Sequence, residues 1–217
     1  MNGLFITFEG TEGSGKSTQI SLLAEQLRAL KHSVRTIREP GGTPIGEEIR
    51  HTLKHSAANQ AMTPEAELLL MNASRAQLVR EVIRPALAAG EIVLSDRFYD
   101  STVAYQGYGR GLDLTAVKNL IDFAVGDTRP ILTLLFQVSH QISAERLLAR
   151  QSTLPFMRDR IEEADGGFFE RVAKGYRLLA SAEPERVRII NADRTVEEIR
   201  TAIWECVRPQ LTRPVPR

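Results

Sequence analysis

Short apolar runs alternate along this chain with longer stretches whose apolar positions recur every three or four residues. Leu4-Phe5-Ile6-Thr7-Phe8 is an almost unbroken apolar run, which predicts a strand buried on both faces. Over 19–30 the apolar residues fall at 20, 22, 23, 24, 27 and 30, the spacing of a helix. The same reading predicts strands over 33–38, 92–94, 131–138 and 187–190. It predicts helices over 45–55, 64–89, 115–125, 139–150, 161–182 and 195–207. The helix over 64–89 is long enough to be broken, and Gly90 closes it. Residues 151–158 read as loop.

Strands separated by helices need crossover connections, so the pattern implies one α/β domain: a five-stranded parallel sheet with helices on both faces. The domain is expected to span 1–207, with a short lid near 150–160 and a Pro-rich tail over 208–217. In such sheets ligands collect at the carboxyl ends of the strands. That directs attention to 9–17, 38–46 and 95–110.

Composition narrows the classes. Hydrophobic residues are 42% and charged residues 25%, which excludes a wholly disordered chain. A net charge of +1 argues against a broad basic face, so no nucleic-acid partner is expected. The cations are lopsided, with 5 Lys against 23 Arg, and arginine is the residue for planar, bidentate anion recognition. The lone Cys206 cannot form an internal disulfide. No apolar run approaches the ~20 residues of a membrane helix, and the opening residues lack a basic leader, so a cytoplasmic protein without a membrane partner is expected.

Gly10-Thr11-Glu12-Gly13-Ser14-Gly15-Lys16-Ser17 fits G-x-x-x-x-G-K-S, between a predicted strand and a predicted helix that Thr18 joins. Glycines in such a loop let backbone N–H groups turn onto phosphate oxygens, and the helix N-terminus adds positive potential. Lys16 suits the β- and γ-phosphates, and Ser17 suits Mg²⁺. A second cluster, Arg38-Glu39-Pro40-Gly41-Gly42-Thr43-Pro44, is a Gly/Pro turn before a capped helix, with Arg38 at a strand end. A third, Ser95-Asp96-Arg97 followed by Phe98 to Gly107, puts Asp96 where a carboxylate would hold the metal or its water. An ion pair on the surface would also account for Asp96-Arg97. The phosphate loop alone does not separate kinases from GTPases or motors. The chain has no guanine-reading N-K-x-D, and arginines at strand ends suit small-molecule phosphoryl transfer.

With these three clusters the chain resembles the bacterial type of thymidylate kinase, from Phe5 to about Ile199. R-E-P-G-G-T is the most specific of the shared motifs. The resemblance implies a P-loop nucleoside-monophosphate-kinase fold, ATP and Mg²⁺ as cofactors, phosphorylation of dTMP to dTDP, and a homodimer. It implies that residues 10–18 hold ATP phosphates and that Ser17 and Asp96 serve the metal. It implies that Glu12, Arg38, Pro40, Met71, Arg75, Arg97, Ser101, Tyr105 and Gln106 surround the dTMP. Pro40 matches a proline often preceded by a cis bond. In the bacterial type the lid supplies the catalytic arginine, which points to Arg158 and Arg160, beside Asp159-Arg160-Ile161-Glu162. A solvated helix face is the plain alternative for the arginines of 145–160. Three positions depart from the family pattern: Met71 stands where the family has a thymine-stacking Phe, Gln137 where an Asp is common, and 151–157 make a longer lid. The departure at Met71 keeps a monophosphate kinase of different base preference in view. A P-loop protein without turnover is the rival from another class, and intact Lys16, Ser17, Asp96 and Arg97 argue against it.

Overall fold

A computed structural model describes residues 3–151 and 166–211 of the chain. Five strands form a single all-parallel sheet: β1 (Leu4–Gly10), β2 (Val34–Arg38), β3 (Ile92–Asp96), β4 (Leu132–Gln137) and β5 (Val187–Asn191). Their order across the sheet is β2-β3-β1-β4-β5. The central strands β1, β3 and β4 are buried nearly throughout, in keeping with their largely apolar runs. The edge strands β2 and β5 are only partly covered.

On one face of the sheet, α1 (Lys16–Ala29) and α9 (Val196–Leu211) pack Leu23, Leu27, Ile199 and Ile203 onto Ile6, Phe8 and Leu134. Trp204 and Cys206 pack against the same core. On the other, α3 (Pro64–Leu78) and α6 (Leu114–Val125) pack Leu78, Val117 and Ile121 with Phe5 and Val93. Beside them α8 (Gly166–Ala182) packs Phe168, Val172 and Tyr176 with Leu135 and Tyr105. Helix starts follow local chemistry. Thr43 caps α2 (Pro44–Lys54) by accepting from Gly46 N at 2.9 Å, and Asp113 caps α6 by accepting from Ala116 N at 2.8 Å.

The expected helix over 64–89 is broken as anticipated, into α3, a π-helical turn Val79–Ile83 and α4 (Arg84–Ala88). The periodicity predicts no helix over 99–109, yet α5 (Tyr99–Thr102) runs into a π-helical turn, Val103–Gly109. In the fold, a Cβ on Gly109 would lie 2.7 Å from Phe168 and 2.9 Å from Val172, so the glycine marks close approach to α8. The helix after β4 is α7 (His140–Gln151). Helix α9 continues past 207 through Arg208 and Pro209 to Leu211, so the expected tail begins later; a proline in the final turn forfeits only one hydrogen bond. Of the loop expected over 151–158 and the lid expected near 150–160, Gln151 instead ends α7, and 152–160, with Arg158 and Arg160, lie outside the described residues. Among the described residues no helix is long and apolar enough to cross a membrane.

Candidate active site

The strand order makes neighbours of the three sequence clusters. Pairing of β1 with β3 sets Phe8 beside Asp96, and pairing of β2 with β3 sets Arg38 beside Asp96. The phosphate loop, the Arg38–Thr43 turn and the Asp96–Arg97 corner therefore leave the same sheet edge at the same level.

Gly10, Gly13 and Gly15 adopt φ of 133°, 69° and 90°, which turn the backbone around the loop into α1. Helix α7 lies on this loop: Ser143 Oγ donates to Glu12 O at 2.8 Å, and a Cβ on Gly13 would come 2.8 Å from Ser143 O. Arg146 Nη1 donates to Gly13 O at 3.4 Å. Lys16 is 7% exposed, and its Nζ donates to Gly10 O at 3.1 Å, Thr11 O at 2.8 Å and Ser14 Oγ at 3.2 Å. Burial and the nearby Arg97 push its amine down to about 8, against Asp96, Glu12 and Glu9.

Ser17 Oγ donates to Asp96 Oδ2 at 2.8 Å. Two hard oxygen donors thus converge at the loop mouth, and among the described residues no cluster of three or more His, Cys, Asp or Glu could hold a metal. That donor set fits Mg²⁺, which takes one or two protein oxygens and completes its shell with water and phosphate.

Two cavities open on this edge. One is lined by residues 12–19, with Arg38, Arg50, Asp96 and Arg146 among the others. The second is lined by Pro40, Met71, Arg75, Phe98, Ser101, Thr102, Tyr105, Gln106 and Phe169. Glu12, Glu39, Lys54 and Arg97 line both, so they stand where the cavities meet.

Arg97 sits at φ 72°, a left-handed conformation uncommon for a residue with a side chain. Its Nη2 donates to Tyr105 Oη at 3.3 Å, and its guanidinium lies 5.0 Å from the centre of that ring. Arg75 is buried, and all three of its nitrogens are engaged. Nε donates to Glu39 Oε2 at 2.9 Å, Nη1 to Thr102 Oγ1 at 2.9 Å and Asn72 Oδ1 at 3.2 Å, and Nη2 to Phe98 O at 3.3 Å. Glu39 Oε1 is buried and has no partner; burial pushes this carboxyl up, while Arg75 opposes the shift. The Glu39–Pro40 peptide is cis. Gln106 Nε2 donates to the fully buried Glu67 at 2.7 Å, and Arg110 pairs with Glu67 at 3.0 Å.

The structure thus gathers Glu12, Pro40, Met71, Arg75, Arg97, Ser101, Tyr105 and Gln106 around the second cavity. Arg38 lines the first cavity instead, where it pairs with Glu47 at 3.1 Å. Glu12 to Thr18 line the first cavity, whereas Gly10 and Thr11 present carbonyls to Lys16. Gln137 ends β4 exposed and lines neither cavity. Sequence reasoning missed Glu39, Lys54, Arg146, Phe169 and the carboxylate of Glu9. Glu39 belongs to the R-E-P-G-G-T motif; Phe169 and Arg146 lie on helices whose docking on the site only the fold decides.

The family profile described as Thymidylate kinase matches residues 8–203. A thymidylate kinase of Syntrophotalea carbinolica is 46% identical over 211 residues, covering 97% of both chains. That of Deinococcus radiodurans is 45% identical over 205 residues, covering 94% of this chain and 96% of the relative. The crystal structure of the thymidylate kinase of Ehrlichia chaffeensis superposes with a TM-score of 0.76 at 32% identity, covering 96% of this chain and 99% of that one. With its phosphate loop, its Arg38–Thr43 turn and its paired cavities on one sheet edge, this chain belongs to the thymidylate kinase family.

Proposed function

We propose that this protein transfers the γ-phosphoryl group of ATP to dTMP, giving dTDP, in the cytoplasm. The observation that carries the reading is the meeting of the two cavities at Glu12, Glu39, Lys54 and Arg97. The first cavity has the phosphate loop as its floor, and the second offers the apolar surfaces of Met71 and Phe169 to a base. Phosphoryl transfer needs two anions held in line and their charge offset, with little covalent work from the protein. Lys16 supplies a fixed cation on the ATP side, and Arg97 supplies one at the junction. Arg38 adds charge at the cavity mouth, and Arg146 adds it where α7 covers the loop. Arg75 acts from the wall, where its bonds to Glu39, Asn72 and Thr102 hold the cavity's shape. Glu12, reaching both cavities, orients the acceptor nucleotide. Ser17 and Asp96 would hold Mg²⁺, which would offset the charge of the phosphates.

A coupled ADP-release assay over dTMP, dUMP, AMP, CMP and GMP, with and without Mg²⁺, tests this reading. We expect dTMP to give the highest kcat/KM. A cavity that senses one methyl discriminates by ~10–200-fold, so dUMP should be poorer by that order. A higher value for AMP, CMP or GMP would assign a different base preference, and no turnover on the whole panel would leave a binding protein.

A homodimer is proposed as the working form. Phe123 on α6 is 81% exposed and Leu69 on α3 is 55% exposed, large apolar side chains on two helices of the same face. Sedimentation equilibrium should give twice the chain mass, and Phe123→Asp should shift it toward the monomer.

A further inference from the structure

Glu9 ends the apolar run of β1 with a carboxylate that has no exposed surface. Side chains alternate along a strand, so Glu9 shares with Phe5 and Thr7 the face opposite Ile6 and Phe8. Its Oε1 accepts from Phe98 N at 2.8 Å, and its Oε2 accepts from Ser101 Oγ at 2.5 Å and Tyr176 Oη at 2.9 Å. The same two hydroxyls meet Arg97, whose Nη1 donates to Ser101 Oγ at 3.1 Å and to Tyr176 Oη at 3.3 Å.

A guanidinium only donates and an ionised carboxylate only accepts. Each hydroxyl between them has one arrangement that serves both: hydrogen toward Glu9, lone pair toward Arg97. The 3.0 Å separation of the two hydroxyl oxygens is then that of two donors sharing one acceptor. The backbone is held from the same side. Arg97 N donates to Phe8 O at 2.9 Å, Ser95 Oγ donates to Arg97 O at 2.6 Å, and Glu9 takes the next N–H. These bonds bracket the residue at φ 72°. Burial and Asp100 push the Glu9 carboxyl up to about 7, while Arg97 opposes them, so the ionised form prevails at pH 8.

We propose that Glu9 is the positioning residue of Arg97, orienting the Ser101 and Tyr176 hydroxyls so that both accept from the guanidinium and hold it at the junction of the two cavities. Glu9 lines neither cavity, so it acts through Arg97 rather than on a nucleotide. The inference rests on the reading of the second cavity as the monophosphate site.

The test is a double-mutant cycle at pH 8. Glu9→Gln keeps the shape but turns an amide donor toward the hydroxyls, which reverses their polarity. We expect its Kd and KM for dTMP to rise about ten- to a hundredfold, the range for a hydrogen bond to a charged group, with ATP affinity unchanged. In an Arg97→Ala background the same substitution should have almost no effect on dTMP binding. Tyr176→Phe removes one relay, should act in the same direction by a smaller factor, and carries the test if Glu9→Gln does not fold. Equal factors in the presence and absence of Arg97, or lowered melting with unchanged dTMP binding, would overturn the proposal. A native protein that binds no dTMP would instead overturn the substrate reading, and the cycle would then be run with the monophosphate that it accepts.

Discussion

Ser17 and Asp96, separated by 79 positions in sequence, meet through a hydrogen bond of 2.8 Å from the serine Oγ to the aspartate Oδ2. The contact spans two adjacent strands: Ser17 lies in the first turn of the helix after β1, and Asp96 ends β3. It places a hydroxyl and a carboxylate side by side at the loop mouth. Asp96→Asn keeps the size and removes the charge. We expect the Mg²⁺ concentration for half-maximal activity to rise about tenfold or more, since a single coordinating carboxylate carries much of the protein's share of a Mg²⁺ site. Titrating activity against Mg²⁺ at saturating ATP checks this; an unchanged midpoint would remove Asp96 from the metal site.

Lys16→Ala should lower kcat by about 10²–10³-fold or more, the scale for removing a group that stabilises developing charge. The fold should survive, because Lys16 makes its three bonds within the loop rather than across the core. Circular dichroism and single-turnover kinetics on the same preparation decide it. Native spectra with near-normal turnover would remove Lys16 from the chemistry.

Met71 lines the second cavity and also packs against the core of Phe168, Val172 and Tyr176. Met71→Phe should therefore tighten dTMP binding by at most about tenfold, the margin between an aromatic pair and a sulfur–ring contact. ATP affinity should not change. Calorimetric dTMP affinity and melting temperature, measured together, separate this from simple overpacking, which would cost ~1–3 kcal/mol of stability and leave binding alone.

Glu9 also predicts a pH dependence of stability. Burial, and then Asp100, raise its carboxyl from 4.5 to about 7 in the folded protein. A raised carboxyl means that the folded state binds the proton more tightly than the unfolded state. The resulting stabilisation is fully present below about 4.5, falls as pH rises, and is gone above about 7. Glu9→Gln carries no such proton. Its stability relative to the native chain should rise by up to about 3 kcal/mol between pH 5 and pH 8. Urea unfolding of both proteins across that range measures it, and a constant difference would contradict the raised carboxyl.

The order of strands and helices, the phosphate loop and the strand-end positions of Arg38 and Asp96 were legible before any fold was known. Those are local properties: an apolar run, a 3.6-residue period and a glycine-lysine-serine spacing are all written within a few neighbouring residues. Met71, Tyr105 and Gln106 were legible only through the likeness of their surrounding motifs. Chain order conceals the rest. The β2-β3-β1 order is what puts Arg38, Asp96 and the phosphate loop on one edge. The docking of α7 and α8 is what brings Arg146 to Gly13 and Tyr176 to Glu9. The helical path over 99–109 escaped the periodicity because Gly109 serves packing against α8, a contact whose partner is far away in sequence. Glu9 falls just past the predicted strand Leu4–Phe8, and its role comes from partners at 98, 101 and 176. Local propensity is set by near neighbours, whereas burial, proton affinity and side-chain reach are set by whatever the fold brings alongside.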